Sequence, residues 1–388
     1  MVQLVKELVN SREKKLIEIR HHIHQNPELS FEEVNTAAFI RELLKKMGIT
    51  DIKEIGTSTV AVLKGDEPGP CIAFRADIDA LPVMEDNDLP YKSKNPGVMH
   101  ACGHDTHTAC LLCMADILSE HRELVKGSIK FIFQAAEEKL PGGAKAICEA
   151  GVMNDVDEVF GFHCSSQYPL GQVTVSKGAS SAAIGIYEAT IKGYGGHGSS
   201  PHKAKNPVPV ACMAASAVNQ IIPEKKDPAD VAVLTVSYFN AGQYPNIITD
   251  KATFGGNVRT RDNELILSLL DRIHKTCDGI AQGFGLECEF SQTIGYPATI
   301  NSEKQVNIVK DAVAEMGYQQ LDNPIALGGE DFAYYVLEKP GAYFTVGMAD
   351  PERPVTSSPH HNCKFQLDER GLRIALELEL KTYLNAVK

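Results

Sequence analysis

A chain of 388 residues exceeds the size at which one hydrophobic core usually stops growing, so its length points to two domains and leaves ample room for an enzyme. Hydrophobic residues are 43% and charged residues 23%, which excludes a disordered or fibrous chain. A formal net charge of −12, with no basic run to offset it, argues against nucleic acid and membrane surfaces as partners.

The first fifteen residues, MVQLVKELVNSREKK, lack the apolar centre of a secretion signal, and no apolar run approaches membrane-spanning length, so a cytoplasmic protein is expected. Ten cysteines at irregular spacings fit free thiols in a reducing compartment better than a disulfide framework. Leu4, Leu8, Leu16, Ile19 and Ile23 recur at roughly helical spacing, and the pattern returns from Ala37 to Met47. The β-like runs TVAVLKG, PCIAFRADIDA, SIKFIFQAAEE and VDEVFGFHC follow, with a helix-like stretch from Thr106 to Leu118 among them. That alternation predicts an α/β fold with a mostly parallel sheet.

From about Ser180 to Thr293 the rhythm changes to strand (Gly185 to Gly193), helix (Pro207 to Ile222), strand (Val231 to Asn240), strand (Ala252 to Thr260), helix (Asn263 to Gly283) and strand (Leu286 to Thr293). This is the βαββαβ order of a ferredoxin-like domain. The expected organisation is a three-layer catalytic domain in two parts, residues 1–179 and 294–388, with a lid and dimerisation domain at 180–293 inserted between them.

Ligands in α/β sheets gather at the carboxyl ends of strands. Asp77-Ile78-Asp79, the loop of Cys102, Glu137-Glu138 and His163 all sit at or just beyond such predicted ends. Cys102 and His104, two apart on a loop, can aim at one point, and Asp105 reads as the cap of the following helix. Taken alone, this triplet is a weak signal that occurs often by chance, and a buried cysteine with a hydrogen-bonded histidine is its ordinary reading. Paired carboxylates after the apolar run FIFQAA are costly unless a positive group sits there, and His163 closes the next apolar strand. Thiolate, imidazole and carboxylate from successive strand ends form a donor set suited to zinc or another borderline transition metal.

These segments, RADIDALP, MHACGHDTH, QAAEE, GFHC, GGHGSSPH, GGEDFAYY and HHNCKF, resemble in order the aminoacylase/carboxypeptidase family of dinuclear metallohydrolases. The branch resembled is that of hippurate hydrolases, auxin-conjugate amidohydrolases and N-acyl-amino-acid deacetylases. The resemblance implies two divalent ions, zinc, manganese, cobalt or nickel, with Cys102 bridging them and His104, Glu138, His163 and His361 completing the shells. His360 stands beside His361 as the other candidate. Glu137, next to a ligand and not itself one, is suited to proton transfer. Asp79 reads as a group orienting a ligand histidine, with a turn cap as the other reading, and Asp77 has no assigned role. In the family, a histidine at the place of His197 polarises the scissile carbonyl, often from a partner subunit. Asn246 and Arg259 match positions that bind the amino-acid part, Arg259 through its planar fork. Gly329, in GGEDF, is expected to line the site through its backbone.

The activity implied is hydrolysis of N-acyl-amino acids or small peptides by a metal-activated water, in a homodimer or higher homo-oligomer built through the inserted domain. Two rival readings are a hydrolase with Cys102 as nucleophile and a non-catalytic protein with a structural zinc. Cys110 and Cys113 read as packing residues of a helix, and His21, His22 and His24 as helix residues outside the site.

Overall fold

The computed structural model describes residues 1–222, 230–321 and 327–388. The chain divides into two compact units, the first of Met1–Ser180, Thr299–Ile325 and Asp331–Lys388, the second of Ser181–Ala298 and Ala326–Glu330.

The first unit opens with helices α1 (Val2–Asn10), α2 (Glu13–Gln25) and α3 (Val34–Lys46). Of the residues at helical spacing, Leu4 and Leu8 fall on α1 and Leu16, Ile19 and Ile23 on α2, with a break between them where the Ser11 hydroxyl donates to the Leu8 carbonyl at 2.6 Å. Then come β1 (Asp51–Ile55), β2 (Ser58–Lys64), β3 (Glu67–Asp77), α4 (His104–Glu120), β4 (Lys126–Gln134), α5 (Gly143–Glu149), β5 (Glu158–Pro169), β6 (Gln172–Thr174) and β7 (Gly178–Ala179). The second unit holds β8 (Ala183–Lys192), β9 (Gly196–His197), α6 (Pro207–Val218), β10 (Ala232–Ala241), β11 (Ile247–Ile248), β12 (Lys251–Thr260), α7 (Asn263–Gly283) and β13 (Glu287–Ile294). The chain returns to the first unit with β14 (Ile300–Asn301), α8 (Glu303–Met316), β15 (Gln319–Leu321), α9 (Ala333–Glu338), β16 (Gly341–Ala349) and α10 (Arg370–Ala386).

Eight strands of the first unit form one sheet in the order β1-β2-β4-β3-β5-β16-β6-β15. The central run β4, β3, β5 and β16 is parallel, so the expected mostly parallel α/β sheet is borne out. Its strands are buried on both faces, which is why FIFQ and AYFTV read as continuous apolar runs instead of alternating ones. Residues His104 to Leu118 of α4 are buried on every side, against α2, α10 and β3. On the other face α5 and α9 contribute Ala144, Ile147 and Tyr335 to a smaller cluster with Val60, Ala73 and Ile132.

The second unit carries a four-stranded antiparallel sheet in the order β10-β12-β8-β13. Along β8, Ala183, Gly185, Tyr187, Ala189 and Ile191 point inward and alternate with more exposed residues. Helix α7 meets the sheet with Ile266, Leu269, Leu270, Ile273 and Cys277, one helical face, and Asp262 Oδ1 caps it by accepting from Glu264 N and Leu265 N, both at 2.7 Å.

Candidate metal centre

The stretch carrying Cys102 and His104 is shaped by the glycine between them. Gly103 has φ +90°, and a Cβ there would stand 2.3 Å from Cys164 Sγ, so only glycine lets the loop turn directly into α4. His104 is therefore the first helical residue and Asp105 the second. This corrects the reading of Asp105 as a cap. Its carboxylate turns sideways, 3.1 Å from Arg20 Nε and 2.8 Å from His24 Nδ1, which ties α4 to α2. His24 reaches Glu85 Oε1 at 3.2 Å with its other nitrogen. Burial disfavours the imidazolium, yet Asp105 and Glu85 outweigh it and raise the His24 pKa.

Four chain segments, carrying Cys102 and His104, Glu137 and Glu138, His163, and His360 and His361, supply donors here. Cys102 Sγ lies 3.5 Å from His163 Nε2 and 3.7 Å from His360 Nδ1. Glu138 Oε1 lies 3.2 Å from His361 Nε2 and 3.9 Å from His104 Nε2. Donor atoms of Cys102, Glu138 and His361 all fall within 4.8 Å of one another, as do those of Cys102, His163 and His360, and those of His104, Glu137 and Glu138. One correction concerns His163: it does not end its strand, because β5 continues to Pro169 beside β16, with His163 opposite Thr345.

The donor set fits a cation. His104 Nε2 is buried with no hydrogen-bond partner. Burial, then Glu138 and Glu137, push the Cys102 thiol well above its ordinary pKa, so an ionised sulfur here requires nearby positive charge. Burial opposes a protonated His104, but Asp77, Asp79 and Glu138 reverse it and push its pKa up to about 10. The field that would hold a proton on His104 equally favours a metal ion.

Surrounding groups fix the donors. His104 Nδ1 faces the Asp79 carbonyl at 3.0 Å and Asp79 Oδ1 at 3.2 Å, while Asp79 Oδ2 accepts from Ser30 Oγ at 2.7 Å and from Glu138 N at 3.0 Å. One carboxylate thus orients a histidine and the backbone of a neighbouring donor, as metal sites commonly require. Asp77 finds its place too. Its Oδ1 receives His107 Nδ1 at 2.6 Å and its Oδ2 receives Arg75 Nη1 at 2.7 Å, while His107 Nε2 accepts the Cys164 N–H at 2.9 Å. Both oxygens of Asp77 and both nitrogens of His107 are thereby engaged within the protein. Arg75 also donates to Gln134 Oε1 and Asp331 Oδ1, each at 2.8 Å. The alternation of Arg75, Asp77 and Asp79 along one side of RADID was the available signal for this network; the role of His107 carried none.

Within the second unit, His197 lies on β9, opposite Ile247 of β11, and its Nδ1 accepts from Ser199 N at 3.1 Å. His197 and Asn246 line an open groove of about 1320 Å³ with Tyr194, Tyr238 and Tyr244. Arg259 Nη1 donates to the Leu327 carbonyl at 2.7 Å, so part of its expected fork is engaged in holding the backbone near Gly329. At Gly329 a Cβ would stand 2.3 Å from Ile184 Cδ1, so a side chain there requires the end of Ile184 to shift.

Residues 73–382 match the model of peptidase family M20/M25/M40. The chain belongs to this family. It is 39% identical to the hippurate hydrolase of Campylobacter jejuni, over 95% of this chain and 96% of that one. To an N-acetylcysteine deacetylase of Bacillus subtilis it is 37% identical, over 93% of this chain and 94% of that one. The crystal structure of a Bacillus subtilis dinuclear metal-binding peptidase of the M20 family superposes with a TM-score of 0.85 at 34% identity, covering 97% and 99% of the two chains. The resemblance read from the seven motifs is borne out in this M20 chain, and with it the α/β fold. Among its described residues, no helix is long and apolar enough to cross a membrane.

Proposed function

We propose that this M20 chain is a two-metal amidohydrolase that cleaves the amide bond of N-acyl-amino acids or small peptides. Supporting the reading are overlapping donor groups, Cys102 with Glu138 and His361, and His104 with Glu137 and Glu138, together with Cys102 Sγ 3.5 Å from His163 Nε2 and a buried His104 Nε2 that has no hydrogen-bond partner. Cys102, His104, Glu138, His163 and His361 would hold the ions. When bound, divalent metal acidifies a water and polarises a carbonyl oxygen. Glu137, buried beside Glu138 and His104, takes the proton of the attacking water and returns it to the leaving nitrogen. Asp79 keeps His104 in the tautomer whose Nε2 is free, and it holds the backbone N–H of Glu138.

His197, Asn246, Arg259 and Gly329 are assigned to the substrate: His197 to the scissile carbonyl, Asn246, Arg259 and the Gly329 backbone to the amino-acid part. A homodimer through the second unit, a cytoplasmic location, and zinc, manganese, cobalt or nickel as the metal complete the reading. Supporting it are relatives named hippurate hydrolase and N-acetylcysteine deacetylase. A nucleophilic Cys102 is disfavoured by burial, and then by the two carboxylates Glu138 and Glu137, which all oppose its ionisation.

The test is product release from a panel of N-acyl-amino acids and dipeptides by chelated and remetallated protein, with Glu137→Gln alongside. The variant is expected to keep its metal and lose roughly 10²–10⁴-fold in kcat. A remetallated wild-type chain inert on the whole panel, or a Glu137→Gln variant at wild-type rate, refutes the proposal.

A further inference from the structure

His360 and His361 both approach the cluster, yet they present different atoms to it. In His104 and His163 the Nδ1–H is engaged by an oxygen, from Asp79 in one case and from the Cys164 carbonyl at 2.6 Å in the other, which leaves the Nε2 lone pair for a cation. His360 has the opposite polarity. Its Nε2 accepts the Ser166 N–H at 3.4 Å, which fixes that nitrogen as the unprotonated one and places the ring proton on Nδ1. Nδ1 is the atom 3.7 Å from Cys102 Sγ, within hydrogen-bonding reach of sulfur.

The ring is also held in place. It packs edge-on to His163, with centroids 5.2 Å apart, and against Phe365 at 4.7 Å. The next residue, His361, donates its backbone N–H to the Ala101 carbonyl at 2.8 Å, which pins this loop beside Cys102. A nitrogen that carries its proton has no lone pair to give a metal, so the triad of Cys102, His163 and His360 does not form a three-ligand site.

We propose that His360 is a positioning residue that donates a hydrogen bond from Nδ1–H to the Cys102 thiolate, and that it is not a ligand. The inference rests on the metal reading above, because it presupposes an ionised sulfur. A donor aimed at a thiolate stabilises the sulfur lone pairs and fixes the direction of those left for the ions.

The test uses the full chain loaded with cobalt(II), read by metal analysis and by the sulfur-to-cobalt charge-transfer band, in wild type, His360→Leu, His360→Phe, His360→Gln and His361→Leu. His360→Leu and His360→Phe are expected to keep wild-type cobalt content and to shift the band to longer wavelength. His360→Gln, with an amide donor, should return it towards the wild-type position, and His361→Leu should lose bound cobalt. Loss of cobalt from folded His360→Leu or His360→Phe would make His360 a ligand and overturn the inference, as would a fully loaded variant with an unmoved band. A wild-type chain that binds cobalt with no sulfur band overturns the metal role of Cys102, and this inference with it, a result distinct from the other two.

Discussion

Arg75 is the most consequential charge in the first unit, and its removal gives a quantitative test of the buried network. Its side chain is fully buried and supplies the cation for two buried carboxylates, Asp77 and Asp331, as well as a donor for Gln134. Burial opposes ionisation of Asp77, but His104, Arg75 and His107 together hold its carboxyl well below the usual range. In Arg75→Met, Asp331 retains Gln134 Nε2 at 2.8 Å and Ala144 N at 3.1 Å, whereas Asp77 loses the Arg75 guanidinium. Leaving one member of a buried ion pair unpaired costs about 3–5 kcal/mol. At about 2–4 °C per kcal/mol for a unit of this size, calorimetry should record a fall in Tm of roughly 6–20 °C. Adding Asp331→Leu to Arg75→Met removes one of the two carboxylates that Arg75 neutralises, so the double variant should be less destabilised than the sum of the singles, by about 0.5–3 kcal/mol. A Tm for Arg75→Met equal to wild type, or strictly additive variants, would refute the claim that this network holds the donors' scaffold.

The Asp105 carboxyl is resisted by burial but held far below its ordinary value of 3.8 by Arg20 and His24. A depressed folded-state pKa adds stability above the unfolded value and loses it as pH falls below, so metal-free protein should weaken as acid is added below about pH 4. Asp105→Asn, weaker already at pH 7, should lose less over that interval, and parallel Tm curves would contradict this. Gly103→Ala meets Cys164 Sγ at 2.3 Å with φ +90°, and should cost roughly 2–4 kcal/mol in a denaturant titration. Combining it with Cys164→Ala should recover the steric part; no recovery would show that the backbone angle alone sets the cost.

Much of this architecture was legible because buried parallel strands leave an unmistakable signature. FIFQAAEE shows an apolar strand ending in carboxylates, and the structure ends β4 at Gln134, three residues before Glu137. The end of β5 was misread at His163 because Cys164, Ser165 and Ser166 are small or polar, yet they remain buried in the sheet. Asp105 was misread because a carboxylate in a first helical turn suits both a cap and a lateral ion pair, and only the tertiary position of Arg20 decides between them. Ser30 and Glu33 were invisible as supports. Their partners Asp79 and Ala136 are far away in sequence, and hydrogen bonds of 2.7 Å and 2.8 Å across such separations leave no periodic trace. The support that His107 gives to Asp77 and the Cys164 backbone was not legible either, since a histidine on an all-buried helix looks like packing until its two partners are seen.

The central claim is that scattered donors share two adjacent cations, and anomalous diffraction from crystals grown with metal tests it most directly. Zinc-loaded crystals should show two peaks, each about 2.3 Å from Cys102 Sγ, one flanked by His163 and the other by Glu138 and His361. A single peak, or density remote from the Cys102 sulfur, would contradict the account.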